Sequence, residues 1–279
     1  MIHRNAPYAP SFHLSLLFAS ILLLLTLSAP LAVSALSLTE SAKSALDKTA
    51  AEADTATRGK LQSGWNELVL LERQQEQQDE RIDAFHYRNT DALAAVRKSI
   101  REIGQSRIAK LEQETAAKKK QYEPLFASYS SVGQQLALAR QIGSKTAASL
   151  LKAQQDAMKP AVQLAKLDIR AKQEALAAAK AQVAKQIKLA REVLEGIDPL
   201  NTRIQAYKSA MRTPKKHLST AWSNFTSAAR KKNAAGALAG LTATLQLSRQ
   251  ILEQKKEVAA CEERIYAVIL RTKTQIPAA

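Results

Sequence analysis

Between residues 60 and 121 the apolar side chains keep a seven-residue rhythm: Leu61, Leu68, Ile82, Val96 and Ile103 share one register, and Gln75 and Asn89 fill its two gaps. Seven-residue spacing returns a side chain to nearly the same helix face, so the pattern predicts a coiled-coil seam. The companion positions are mixed, with Trp65, Leu93 and Ile100 apolar but Glu72, Asp79 and His86 polar. Because the register survives across Asn89, it favours one helix from Lys60 to Gln121, which would extend roughly 90 Å at 1.5 Å per residue. The alternative is a hairpin turning at Arg88-Asn89-Thr90-Asp91, all good turn or cap formers.

The remaining boundaries are read from caps, glycines and prolines. Ser37-Leu38-Thr39-Glu40 has the spacing of a capping box and predicts a first short helix running to Arg58, after which Gly59 and Gly64 loosen the chain. Pro124, Pro160, Pro199 and Pro214 each fit the first position of a helix, with Asp198 and Thr213 as N-caps and Gly196 closing the preceding helix. These signals predict helices over 124–158, 160–196, 199–212 and 214–232, with a last one over 234–275 after a turn at Asn233. The segment 160–196 is rich in Ala and Lys with a narrow stripe at Leu164, Leu167, Leu176, Val183, Ile187 and Leu194, a strong intrinsic helix. No stretch alternates as a strand does. The proline spacing suggests a helical repeat, but no repeating unit follows from it.

Composition sharpens this to an all-α class. The 279 residues are 46% hydrophobic, carried by Ala and Leu, with only 5% aromatic, which favours helix over sheet. The expected architecture is an elongated helical bundle or antiparallel coiled coil with one or more long helices.

The N-terminus has the pattern of an export signal: Arg4, an apolar run from Leu14 to Leu27, then Ser28-Ala29-Pro30 and the small-residue sequence Val33-Ser34-Ala35. Cleavage is expected after Ala35, and an uncleaved membrane anchor over Leu14 to Val33 is the alternative. Location outside the cytoplasm follows as an expectation: extracellular, cell wall or periplasm. The single cysteine, Cys261, keeps step with Val258, Ile265 and Val268, so it reads as a small buried residue and rules out an internal disulfide.

Charge is distributed unevenly. Residues 36–114 hold 12 basic and 14 acidic residues, whereas 115–279 hold 28 basic and 11 acidic ones. Between Pro199 and Leu252 there is no acidic residue against nine basic ones. Ordinary solvated surface mixes both signs, so this imbalance points to a polyanionic partner. The candidate docking residues are Lys118, Lys119, Lys120, Arg203, Lys208, Arg212, Lys215, Lys216, Arg230, Lys231 and Lys232.

Catalytic ingredients are sparse. Beyond the signal there are two histidines, His86 and His217, and no glycine-rich phosphate loop, so neither an enzyme nor a cofactor is expected. Asp79, Asp83 and His86 share a helical face, but a di-iron bundle needs a second such motif, and the set reads as a solvated acidic face. Tyr122, Phe126 and Tyr129 follow Lys118-Lys119-Lys120, and Trp222 and Phe225 lie between basic clusters. Such pairings serve base stacking in nucleic-acid binders, but the spacing of three and four predicts rings buried in a bundle. Gly236 and Gly240 form a G-x-x-x-G pair in an uncharged stretch too short to span a bilayer, which predicts close helix packing.

The expected organisation is a signal peptide (1–35), a coiled-coil region (36–122), an Ala/Lys-rich helical region (123–198) and a basic helical region (199–279). The expected role is that of a non-catalytic exported interaction or scaffold protein held on an anionic cell-wall polymer, an anionic lipid surface or nucleic acid, with self-association through coiled-coil contacts an open possibility. Two other readings stand beside it. One is a holdase chaperone, whose basis is a compositional resemblance to the periplasmic chaperones of outer-membrane proteins. The other is a membrane-active toxin acting through Asn233 to Leu247.

Overall fold

The computed structural model describes residues 38–277, so the expected signal at 1–35 and Ser37 lie outside it. Among the described residues the chain is all-α, with seven helices and no strand: α1 (Glu40–Glu52), α2 (Thr55–Glu102), α3 (Gln105–Gln141), α4 (Lys145–Glu195), α5 (Asp198–Ala210), α6 (Arg212–Arg230) and α7 (Ala234–Gln275).

The long seven-residue register is real, and its partner lies within the chain. Leu61, Leu68, Gln75, Asn89, Val96 and Ile103 are buried, and α2 packs chiefly on α7. The two helices run in the same direction: Glu67 pairs with Arg249, Asp79 with Lys255 and Asn89 with Glu262, in step along both. The turn considered at 88–91 does not form, because Asn89 is held in the seam rather than exposed. The helix stops instead at Ile103 and Gly104, short of the expected Gln121. Gly104 has φ +68° and the Val183 side chain lies against it, 2.2 Å from where a Cβ would sit, so glycine is required there.

The first boundary also moves. Thr39, not the expected capping box at Ser37, caps α1 by accepting from the Ala42 amide, and Asp54 caps α2 by accepting from the amides of Ala56 and Thr57. Arg58, expected to end the first helix, belongs to α2 and turns back to donate to the α1 carbonyls of Ala50 and Ala51, each at 2.9 Å. Gly59 and Gly64 are both helical. At Gly64 the missing side chain admits Leu241 of α7, whose Cδ2 lies 2.8 Å from the position of a Cβ.

α5 and α6 lie antiparallel to α7 along most of its length. Tyr207 meets Glu257, and the backbone of Phe225 lies 2.7 Å from where a Cβ on Gly240 would sit. This is the close approach that the G-x-x-x-G pair predicts, made between helices of the bundle. Trp65, Trp222 and Phe225 cluster there with ring centroids 5.2–6.2 Å apart, and α1 closes the end through a bond from Thr49 Oγ1 to the Ala229 carbonyl at 2.7 Å. Cys261 is buried as expected. The break between α5 and α6 falls at buried Met211 rather than at Thr213-Pro214.

α3 and α4 form an antiparallel arm. Its seam of Val132, Leu136, Ala139, Val162, Ala165 and Ala179 is separate from the main core, into which only the base of the arm reaches through Val183, Ala190 and Ile108. Lys118–Asp168 (3.0 Å), Lys172–Glu114 (2.9 Å) and Lys180–Glu112 (2.7 Å) tie the two helices together. Pro124 and Pro160, expected at helix starts, both lie inside helices. A helical proline frees the carbonyl four residues earlier, here of Lys120 and Asp156. Both of those residues are exposed, so water can take the freed carbonyls. The true turn is Ile142-Gly143-Ser144, where Gly143 has φ +75° and the amides of Gly143 and Ser144 bond the carbonyls of Arg140 and Ala139.

Candidate anion-docking surface

The expected docking residues do not converge on one cluster. Three are on the arm. Lys118 is engaged by Asp168 and lies 5.7 Å from the centre of the Tyr122 ring, and its bond to Asp168 raises its pKa. Lys119 and Lys120 are exposed and line a shallow hollow with Glu123, Phe126, Ala127 and Ile169.

The other eight lie on α5, α6 and the turn after α6. Arg203, Arg212, Lys216, Arg230 and Lys231 are exposed and make no ion pair among the described residues. Lys208 is half-buried and also unpaired. Two of the expected residues are turned to other tasks. Lys232, in a left-handed conformation at φ 55°, pairs with Glu52 of α1 and so helps join α1 to the bundle. Lys215 is half-buried, and desolvation first and then the neighbouring charge of Lys255 lower its pKa, against a smaller pull from Asp79. The outward cations therefore form a strip. Arg212 and Arg230 stand at opposite ends of α6, roughly 27 Å apart along its axis at 1.5 Å per residue.

The aromatic residues near this strip are engaged with one another: Phe225 is buried, and Trp222 is half-buried against it and Trp65. On the arm, Tyr122 donates to Asp168 at 2.9 Å, a bond that raises its pKa first, with burial second. The face expected to be solvated and acidic is exposed at Asp83, while its other two residues, partly exposed, also meet α7. Asp79 pairs with Lys255 and His86 Nδ1 lies 3.3 Å from Glu262 Oε1. Among the described residues no group of three or more His, Cys, Asp or Glu residues is placed to hold a metal ion. None of their helices is long and apolar enough to cross a membrane.

A row of buried polar groups between α2 and α7 was missed. Gln75, Asn89, Ser248, Lys255 and Glu262 are all buried. Gln75 Nε2 donates to the Ser248 carbonyl at 3.4 Å, Lys255 to Asp79 at 2.6 Å, and Asn89 Nδ2 to Glu262 Oε2 at 2.7 Å. The signal was present, since Leu241, Ser248, Lys255, Glu262 and Ile269 keep the same seven-residue spacing on α7. A register read only for its apolar members passes over it.

Comparison with protein-family models, with curated proteins and with solved structures returned no match.

Proposed function

We propose that this chain is a non-catalytic, exported helical interaction protein that docks electrostatically on an anionic surface through the solvent face of α5 and α6. The observation that carries this reading is a long run of one sign of charge on the surface. Between Pro199 and Leu252 there is no acidic residue, and Arg203, Arg212, Lys216, Arg230 and Lys231 face solvent along it without an ion pair among the described residues. Unneutralised cations along a rigid helix bind a polyanion by releasing its counterions, without needing a shaped pocket.

The test is retention of the full chain on immobilised polyphosphate at rising salt. The Arg212→Gln/Lys216→Gln/Arg230→Gln/Lys231→Gln variant should elute earlier and show a salt dependence shallower by about three to four counterions. Its circular dichroism should be unchanged, because all four side chains are exposed. Equal retention of variant and parent would refute the assignment.

A further inference from the structure

We propose that the tip of the α3–α4 arm inserts shallowly into an anionic lipid bilayer. Ile142 and Leu150, at 70% and 72%, are the two most exposed large apolar side chains among the described residues; Ile142 adjoins Gly143 and Leu150 lies within the first two turns of α4. Leu138, at 58%, stands one turn before Ile142 on α3. Exposure of a lone leucine is ordinary, and Leu164 and Leu167 are exposed farther along α4, but Leu138, Ile142 and Leu150 all stand within two turns of the hairpin end.

The charges around it choose the occupant. From Pro124 to Gln155 there is no acidic residue, and the cations are Arg140, Lys145 and Lys152. A second copy of the tip would bring like charges together, which disfavours self-association through this end. A bilayer bearing anionic headgroups fits both halves of the pattern: apolar side chains enter the acyl boundary while the long stems of Arg and Lys carry their charges back to the headgroups. The depth also matches. Leu138 and Leu150 lie roughly 10 Å or less behind the turn at 1.5 Å per residue, and interfacial helices bury their apolar face by about 5–10 Å. At the turn the amides of Ile142, Gly143 and Ser144 bond the carbonyls of Leu138, Arg140 and Ala139 at 3.0–3.2 Å and close the end of α3, while the start of α4 has no side-chain cap, which suits a shallow position where water and headgroup oxygens reach its first amides.

The tip and the α5–α6 strip are on different elements, so the two assignments fail separately. The experiment is co-sedimentation of the full chain with phosphatidylcholine vesicles, with and without a third of phosphatidylglycerol. The parent and the α6 glutamine variant are compared with Leu138→Ser/Ile142→Ser/Leu150→Ser, whose fold is checked by circular dichroism. The parent should partition to the anionic vesicles, and the tip variant should lose about tenfold or more of that partition. In a chain carrying Ile142→Trp, the added emission should shift to the blue on anionic vesicles, and should do so in the α6 glutamine background too. Equal partition of parent and tip variant overturns the proposal, as does failure of the parent to bind or an unshifted tryptophan. Suppression of client-protein aggregation that needs the tip, without vesicle binding, would assign the tip to a chaperone role instead.

Discussion

Lys255 Nζ lies 2.6 Å from Asp79 Oδ2 in the middle of the α2–α7 seam, with the lysine side chain 3% exposed and the aspartate 41%. The lysine also reaches the Gln75 carbonyl at 3.4 Å, so a buried ammonium is satisfied from α2 alone. Losing the partner leaves the charge uncompensated, whereas losing the charge does not. Asp79→Asn should therefore destabilise the chain by about 1–3 kcal/mol, with the exposure of Asp79 holding the cost toward the lower end. Lys255→Met should be near neutral or stabilising. Urea unfolding of the two variants checks the order, and a more damaging Lys255→Met would refute it.

One heptad on, Asn89 donates both to Glu262 Oε2 and to the Glu262 carbonyl, at 2.7 and 2.9 Å. Asn89→Leu removes the donor while Glu262 stays buried, and should cost about 2–4 kcal/mol. Asn89→Leu/Glu262→Leu should recover most of that loss by converting the layer to apolar packing. A double-mutant cycle in urea measures the coupling. Additive losses would mean that the two side chains do not act as a pair.

Two glycines should respond in opposite directions to the same substitution. Gly59 is helical with nothing within 4 Å of a Cβ, so Gly59→Ala should stabilise by about 0.5–1 kcal/mol. Gly240→Ala drives a methyl into the Phe225 backbone and should cost about 1–3 kcal/mol or more. Thermal melts of both variants give the comparison.

Acid should loosen the arm. The bond from Lys172 holds the Glu114 carboxyl below its usual range, and the bonds from Lys118 and then Tyr122 do the same for Asp168. A carboxylate with a depressed folded-state pKa contributes stability above its unfolded pKa and loses it as pH falls through the folded one. Hydrogen exchange of α3 and α4 near Glu114 and Asp168 should therefore show protection held at about pH 5 and declining toward about pH 2. Lys172→Met should remove much of that pH dependence around Glu114.

Much of the helical order was legible from local chemistry. The seam from Leu61 to Ile103 follows from spacing alone, Gly196 and Pro199 mark the α4–α5 junction, and Asn233 caps α7. The errors have a common origin in competing local signals. Proline marks a possible helix start but does not prevent a helix continuing when the freed carbonyl faces water, as at Pro124 and Pro160. Asn89 reads as a turn former until Glu262 is found opposite it.

The sequence by itself determined the all-helical class, the burial of Phe225 and of Cys261, and the excess of cations after Pro199, because periodicity and composition act over neighbouring residues. Only the tertiary structure decided that α2 runs parallel to α7, that α3 and α4 leave the core as an arm, and which lysines are available to a partner. Lys215 and Lys232 are as basic as Lys216 and Lys231 along the chain, and differ only in that Lys255 and Asp79 surround the one and Glu52 meets the other. Those neighbours are distant in sequence, and an ionic contact is set by distance in space.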